Sequence, residues 1–480
     1  MIRKIVSIIY YNIISFILSM SVEAQIVIDL DTVKNAGLRV VHITTHNGEE
    51  PQGIIISNPW EEDNNLNIKD SNKVECRIVL TQENDTLYDS GDYEKNISGA
   101  TIRINGNTSA YYSDSLNMPY KLKLEHKADL LCRANDSIYA DKNWRLLKDA
   151  VSLNTIIGLY VSELVNMEWT SAFIPCNVII NGDYRGCYLL METVRRNNKC
   201  RINTDKQTGY IVERDPYWWK EQKYFSTSWY ENKYNYRWTW KYPDEDDVTT
   251  EQELFIQQYI NDTEKAIREG NYNDYIDLES FTKWILVHDI LGTRDSGGSN
   301  MYFKKYDNTD NSKLEMPCIW DFDSNFEVPI NSFSRLHNSD NAYFNTLFQS
   351  SNQSFNDTYI KLWNDNKEYL KQHIVSFIEK YIASDEAKAL DRSIVLYNKR
   401  WGYTYPNLHT HASCALSWFN SRFESLDPAI QSISHTDIDV IRVANERYQY
   451  YNLKGIRQHY NRGINIMRDY TTGKTYKGKN

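Results

Sequence analysis

The sequence predicts an α+β protein, with a strand-rich first half and a mainly helical second half. Three observations carry this. Short apolar and β-branched runs parted by polar turns fill residues 25 to about 100. Apolar spacing of helical period dominates beyond about residue 250, and one strand-turn-strand unit near residues 301–321 interrupts it.

In chain order, residues 1–24 read as an export signal. Arg3 and Lys4 precede an apolar stretch from Ile5 to Met20, and small residues at Val22 and Ala24 place cleavage after Ala24. The stretch is too short for a convincing membrane span, and none is expected in the mature chain, which should lie in the periplasm, at the cell surface or outside the cell. Residues 25–98 form a β-rich segment, with "LRVVHITT" and "VECRIVLT" as strands and "NGEEPQG" and "QENDT" as turns. A larger unit covers 99–430. In it "SLNTIIGLYVSELVNM" puts Ile156, Leu159, Tyr160, Leu164 and Met167 near one helix face, and "TTEQELFIQQYINDTEKAI" opens the helical half. A basic tail, 431–480, reads as strands and turns.

A formal net charge of −10 argues against a nucleic-acid partner, because affinity for phosphate backbones rests on clustered Lys and Arg. The seven cysteines (76, 132, 176, 187, 200, 318, 414) are odd in number, so at least one thiol is unpaired within the chain. In "PCNVIINGDYRGCYLL" the Asn181-Gly182 pair marks a two-residue hairpin turn. Counting outward sets Cys176 opposite Cys187, as a disulfide or as two reduced core thiols.

The stretch "TRDSGGSN", residues 293–300, follows an amphipathic helix closed by Gly292. Beyond it, "MYFKKYD", the turn "NTDNS" and "KLEMPCIWDFD" predict a β-hairpin whose midpoint between 310 and 311 sets Asn300 opposite Asp321, with Asp295 on the turn just before. Amide and carboxylate oxygens grouped in this way suit Mg²⁺, which completes its shell with phosphate oxygens and water. The order Arg, Asp, four residues, Asn has protein-kinase catalytic-loop spacing, and "WDFD" supplies a later metal-type Asp.

The blocks "INGNTSAYYSDSLNMPYKLKLEHK", "ADKNWRLL", "NVIINGDYRGCYLLMETVRR", "TGYIVERD", "WKYPDEDD", "RDSGGSNMYF" and "IWDFDSNF" resemble, in order and approximate spacing, those of the CotH kinase family. The resemblance runs from about residue 100 to 425. It implies a secreted or surface protein with an atypical, miniature protein-kinase-like fold that transfers phosphate from ATP with Mg²⁺ or Mn²⁺. Asp295 would serve the acceptor hydroxyl, and Asn300, Asp321 and Asp323 the metal. A lysine should reach the phosphates from "PYKLKL". Lys121 and Lys123 are expected on opposite strand faces, with Lys123 matching the family's lysine and Glu192 of "LLMETV" as its ion-pair partner. "RINGNTS" retains Arg103, Gly106 and Asn107 of the family's Arg-Gly-Arg-Gly-Asn-Ser run, with Ile104 and Asn105 as departures, and no His precedes Arg294.

The expected activity is phosphorylation of protein Ser or Thr. A glycan or small-molecule acceptor is one alternative, and a non-catalytic surface or adhesion protein reusing the fold is the other. Three further features are given structural readings: "HTHASC" (His409, His411, Cys414) a polar loop, His288 a core histidine, and the aromatic stretch between Tyr217 and Tyr242 paired strands.

Overall fold

The computed structural model describes residues 26–57, 66–69, 72–106, 108–111, 116–133, 136–229, 236–297, 300–332 and 342–435, and four short strands beyond residue 447. The expected signal segment and Asn107 lie outside the described residues.

The strand-rich half is a closed barrel. Its strands are β1 (Arg39–Thr45), β4 (Val74–Gln82), β5 (Asp85–Asp89), β6 (Ala100–Ile104), β7 (Tyr120–Ala128), β8 (Asp141–Leu147), β9 (Phe173–Ile180) and β10 (Asp183–Met191). A separate hairpin joins β2 (Ile54–Ser57) to β3 (Leu66–Lys69). The order β1-β9-β10-β8-β7-β6-β4 returns to β1 through the β1–β4 pairing, while β5 adds to β4 outside the ring. Closure satisfies edges that would otherwise be exposed. Strands from before residue 99 are thus built into the same barrel as those after it. Alternate residues fill the interior: Ile102 and Ile104 of β6, Leu122 and Leu124 of β7, Trp144 and Leu146 of β8 and Tyr188 and Leu190 of β10. Their neighbours Arg103, Lys121, Lys123 and Arg145 therefore stand outside the barrel.

This alternation corrects two expectations. Lys121 and Lys123 share one face, because strand side chains repeat every two residues. Cys176 does not oppose Cys187. Arg185 is an extra residue in β10 between Tyr184 and Gly186, and the bulge pairs Cys187 with Asn177 and Cys176 with Tyr188. The two buried thiols belong to different cores on opposite sides of the sheet and remain free.

A smaller antiparallel sheet, β12-β13-β11-β14-β15, is built from β11 (Tyr210–Asp215), β12 (Tyr224–Phe225), β13 (Arg237–Tyr242), β14 (Met301–Lys305) and β15 (Leu314–Glu315). The aromatic stretch supplies β12 and β13, where Phe225 stacks on Trp238. The β14–β15 register pairs Lys304 with Glu315, two positions off the expected hairpin.

Ten α-helices lie among the described residues: α1 (Leu30–Asn35), the single-turn α2 (Thr108–Tyr111) and α3 (Asp136–Tyr139), α4 (Asn154–Leu164), α5 (Thr250–Glu269), α6 (Leu278–Leu291), α7 (Ala342–Phe348), α8 (Ser354–Ala383), α9 (Asp385–Trp401) and α10 (Leu408–Gln431). Their ends follow local chemistry. Thr249 and Gln252 form a capping box on α5, and Asp277 caps α6. Gly292 ends α6 at φ 59, where a Cβ would meet Trp418 at 2.3 Å and Val328 at 2.8 Å. His288 is buried in α6 with its ring 4.2 Å from that of Trp284. "HTHASC" lies on α10 instead of a loop, because Asn407 caps that helix through its side chain. Among the described residues no helix is long and apolar enough to cross a membrane. The tail strands β16 (Tyr448–Tyr451), β17 (Arg457–Gln458), β18 (Ile464–Asp469) and β19 (Thr475–Lys479) form a sheet of their own.

Candidate functional site

Helix α6 aims the "TRDSGGSN" turn, and three side chains hold its C-terminal end. Tyr359 donates to Asp289 at 2.6 Å, Arg422 donates to the Asp289 carbonyl at 2.8 Å, and Trp418 donates to the Ile290 carbonyl at 3.2 Å. The turn is then pinned to the segment after β15. Thr293 and Asn325 bond through their side chains at 2.9 Å, the Arg294 amide donates to the Ser324 carbonyl, and the Asp295 amide donates to Ser324 Oγ at 3.1 Å. From β11, Arg214 donates to the Gly297 carbonyl at 3.3 Å. Gly297 has φ 93, a conformation that favours glycine, while Gly298 lies outside the described residues.

These restraints bring Asn300 to Asp321: Asn300 Nδ2 donates to Asp321 Oδ2 at 2.9 Å. The expected neighbourhood forms, although the strand register differs, because the chain between Glu315 and Asp321 is irregular and folds back on the turn. Asp323 is fixed through its backbone, where its carbonyl accepts from Asn154 Nδ2 at 2.8 Å, and Asn154 in turn accepts from Asn325 at 3.0 Å. Phe322 packs so tightly on α4 that a Cβ on Gly158 would meet its ring at 2.3 Å.

Electrostatics adds a carboxylate that the sequence reading missed. Asp149, just after β8, bonds to Ser152 at 3.1 Å and to Thr155, and its carboxyl is pushed up to about 7 by burial, with the Asp323 charge adding. Asp321 is pushed upward by desolvation and then by Asp323, Asp149 and Asp295, and Asp323 by desolvation and then by Asp295. Both side chains nevertheless face solvent. Solvent weakens the desolvation, so the like-charge repulsion is the firmer cause. Nothing in Asp149's sequence surroundings marks it, since its role depends on β8 ending beside the Asp321 segment.

The cationic side of the site differs from expectation. Glu192 is buried and binds Arg133 at 2.9 Å and Arg201 at 3.5 Å, so it is not the partner of Lys123. Lys121 pairs in register with Arg103 on β6 and with Arg145 on β8, which lines up three cations across adjacent strands. Lys123 is exposed in the neighbouring row beside Thr101 and Asn143. One partly buried Lys–Glu pair, Lys241 with Glu213, joins β13 to β11 at 2.8 Å. Burial pushes the Tyr302 hydroxyl up, Glu213 adds to this and Arg145 opposes it, which puts the barrel's outer face and the small sheet on one buried side chain. Gly106 has φ 93, a conformation that favours glycine, and a Cβ there would meet the rotatable Ser109 hydroxyl at 2.3 Å.

Family-level comparison matches residues 103–422 to CotH kinase proteins. The chain belongs to the CotH kinase family. The match runs from Arg103 on β6 to Arg422 on α10, so it takes in Lys121, Asp149, Glu213, Asp295, Asn300, Asp321 and Asp323. No curated protein matches the chain.

Membership suggests ATP and a divalent cation, and the fit can be tested on the residues. Among the described residues no group of three or more His, Cys, Asp or Glu side chains converges as a self-sufficient metal site. Mg²⁺ asks less of a protein, since one or two carboxylates suffice when phosphate oxygens complete the shell. Asn300 is bonded to Asp321 through its amide nitrogen, and the mutual repulsion of Asp321, Asp323 and Asp149 is what a cation would relieve. The CotH-family site fits a hard cation carried in with a polyphosphate.

Proposed function

We propose that this CotH-family protein is an exported, atypical kinase that transfers the γ-phosphate of ATP to a protein Ser or Thr hydroxyl. The observation that carries the reading is the meeting of Asn300 and Asp321 at 2.9 Å beside the turn that bears Asp295. Asp295 is solvent-exposed, whereas Asn300 and Asp321 hold each other. The reading assigns the acceptor to Asp295 and the cation to the Asn300–Asp321 pair, the division of labour that protein kinases use.

A bound Mg²⁺ or Mn²⁺ would neutralise the phosphate oxygens. Asn300, Asp321 and Asp323 would hold it, and Asp149 beside them would add negative charge. Arg103, Lys121 and Arg145 would offer positive charge to the polyphosphate along the barrel's outer face, and Gly106 gives the loop after β6 close backbone approach. Asp295 orients the acceptor hydroxyl and takes its proton as the oxygen–phosphorus bond forms; the bond to the β-phosphate oxygen breaks and ADP leaves. A kinase-like fold and export through residues 1–24 belong to the same proposal.

The experiment is incubation of purified mature protein with γ-labelled ATP, Mg²⁺ or Mn²⁺ and protein and glycan acceptors. Phosphoserine or phosphothreonine is the expected product. Label found only on glycan acceptors would move the assignment to a glycan kinase, and no transfer with intact nucleotide binding would favour a binding protein that reuses the fold.

A further inference from the structure

A chamber of about 210 Å³ opens beside the acidic segment, lined by Leu153, Asn154, Phe326, His411, Cys414, Ala415 and Trp418. The four α10 residues occupy positions i, i+3, i+4 and i+7, one face of the helix. Asn154 is the residue whose amide holds the Asp323 carbonyl, and Phe326 lies two residues beyond Ser324, which holds the Asp295 amide. Two residues span at most about 7 Å, so the chamber's Phe326 wall lies close along the chain to the residue that holds the Asp295 turn. Phe326 is held at φ 66, edge-on to Trp418 and Phe419 with ring centroids 5.6 Å away, so this wall is braced.

We infer that this chamber receives one medium-sized apolar side chain of a peptide acceptor, placed one to three residues from the phosphorylated hydroxyl. The inference rests on the kinase reading above and names its substrate class. Size decides against a nucleotide, because pockets for drug-sized ligands run from about 300 Å³ upward. The lining decides against a charged residue: Leu153 and Ala415 are buried and apolar, and Phe326 and Trp418 present rings. His411 Nε2 is buried and makes no hydrogen bond among the described residues, which leaves it for a peptide N–H or hydroxyl. Cys414, exposed on the solvent side, marks the entrance.

The test uses a peptide set with one fixed Ser in an Ala background and a single Leu or Met moved from position −3 to +3. Binding to the full mature protein and phosphate transfer are scored separately. At one position the apolar residue should tighten binding about tenfold over Ala in wild type, and Ala415→Met, which fills the chamber, should abolish that preference while ATP affinity stays within twofold. Cys414→Tyr closes the chamber from solvent and covers the case in which Ala415→Met fails to fold. Equal binding of all the peptides to wild type overturns the chamber, and so does a preference that survives both variants. Positional binding without transfer to any peptide leaves the chamber standing and overturns the kinase reading instead.

Discussion

Asn300 and Asp321, which meet at 2.9 Å, both hold left-handed backbone, with φ 59 and φ 72. Asn tolerates this region better than most residues, and Asp shares the tolerance in part. Backbone strain of this kind costs on the order of 1–3 kcal/mol per residue and persists where the surroundings over-determine it. Here the surroundings are the bonds of Ser324, Asn325, Asn154 and Arg214 to the two loops. The energy of folding is thus used to hold an amide and a carboxylate together.

Asp321→Ala should remove cation-dependent nucleotide binding. Calorimetric titration with ATP and Mg²⁺ should show affinity falling at least about tenfold, with nucleotide binding in excess chelator unchanged. Equal affinities with Mg²⁺ would end the cation assignment.

Lys121 and Lys123 should behave differently despite sharing a face. Lys121 stands in the row with Arg103 and Arg145, and Lys123 beside uncharged Thr101 and Asn143. Lys121→Met should weaken ATP binding about tenfold, about 1.4 kcal/mol. Lys123→Met should change it less than twofold. The opposite ranking would show that the phosphates follow the row that holds Lys123.

Without a cation, stability should fall as pH rises. The Asp149 carboxyl is raised from 3.8 to about 7, so within that window the native chain keeps a proton that the unfolded chain has released. The contribution is present at acid pH and lost as pH climbs through the folded value. Asp289, also pushed up to about 7 by burial, acts in the same direction, so the comparison must be made against Asp149→Asn and Asp321→Asn. Thermal melts in chelator at pH 5 and pH 8 should show a larger decrease in Tm for wild type than for either variant. Added Mg²⁺ and nucleotide should raise the wild-type Tm more at pH 8, because the cation requires ionised carboxylates.

Gly158→Ala should couple packing to function. The new Cβ would meet the Phe322 ring at 2.3 Å, forcing α4 away from the residue between Asp321 and Asp323. Overpacking of this kind costs about 1–3 kcal/mol, measurable by urea unfolding. Cation-dependent nucleotide binding should weaken in the same variant, whereas a fully stable and fully binding protein would mean that Phe322 has room to move.

The division into strands and helices was legible because hydrophobic periodicity is local, and so were the α6 cap and the approach of Asn300 to Asp321. What escaped depends on events that periodicity does not record. One inserted residue, Arg185, turned the expected Cys176–Cys187 opposition into two thiols on opposite faces. Closure of the barrel rests on the long-range β1–β4 and β1–β9 pairings. The partners of Glu192 come from Arg133 and Arg201, and those of Lys241 from another strand, so no spacing within a single motif reveals them. Asp149 joins the acidic group only because α4 and the Asp321 segment pack together.

The central claim is that Asp295 serves the acceptor while Asn300 and Asp321 serve the cation, and single-turnover transfer from γ-labelled ATP by Asp295→Asn tests it most directly. The variant should bind ATP with Mg²⁺ within about threefold of wild type, since both cation residues and the turn's backbone bonds survive, while transfer falls by the ~10² to 10⁴ expected for loss of a positioned base. Transfer at the wild-type rate, or loss of nucleotide binding in step with transfer, would contradict the account.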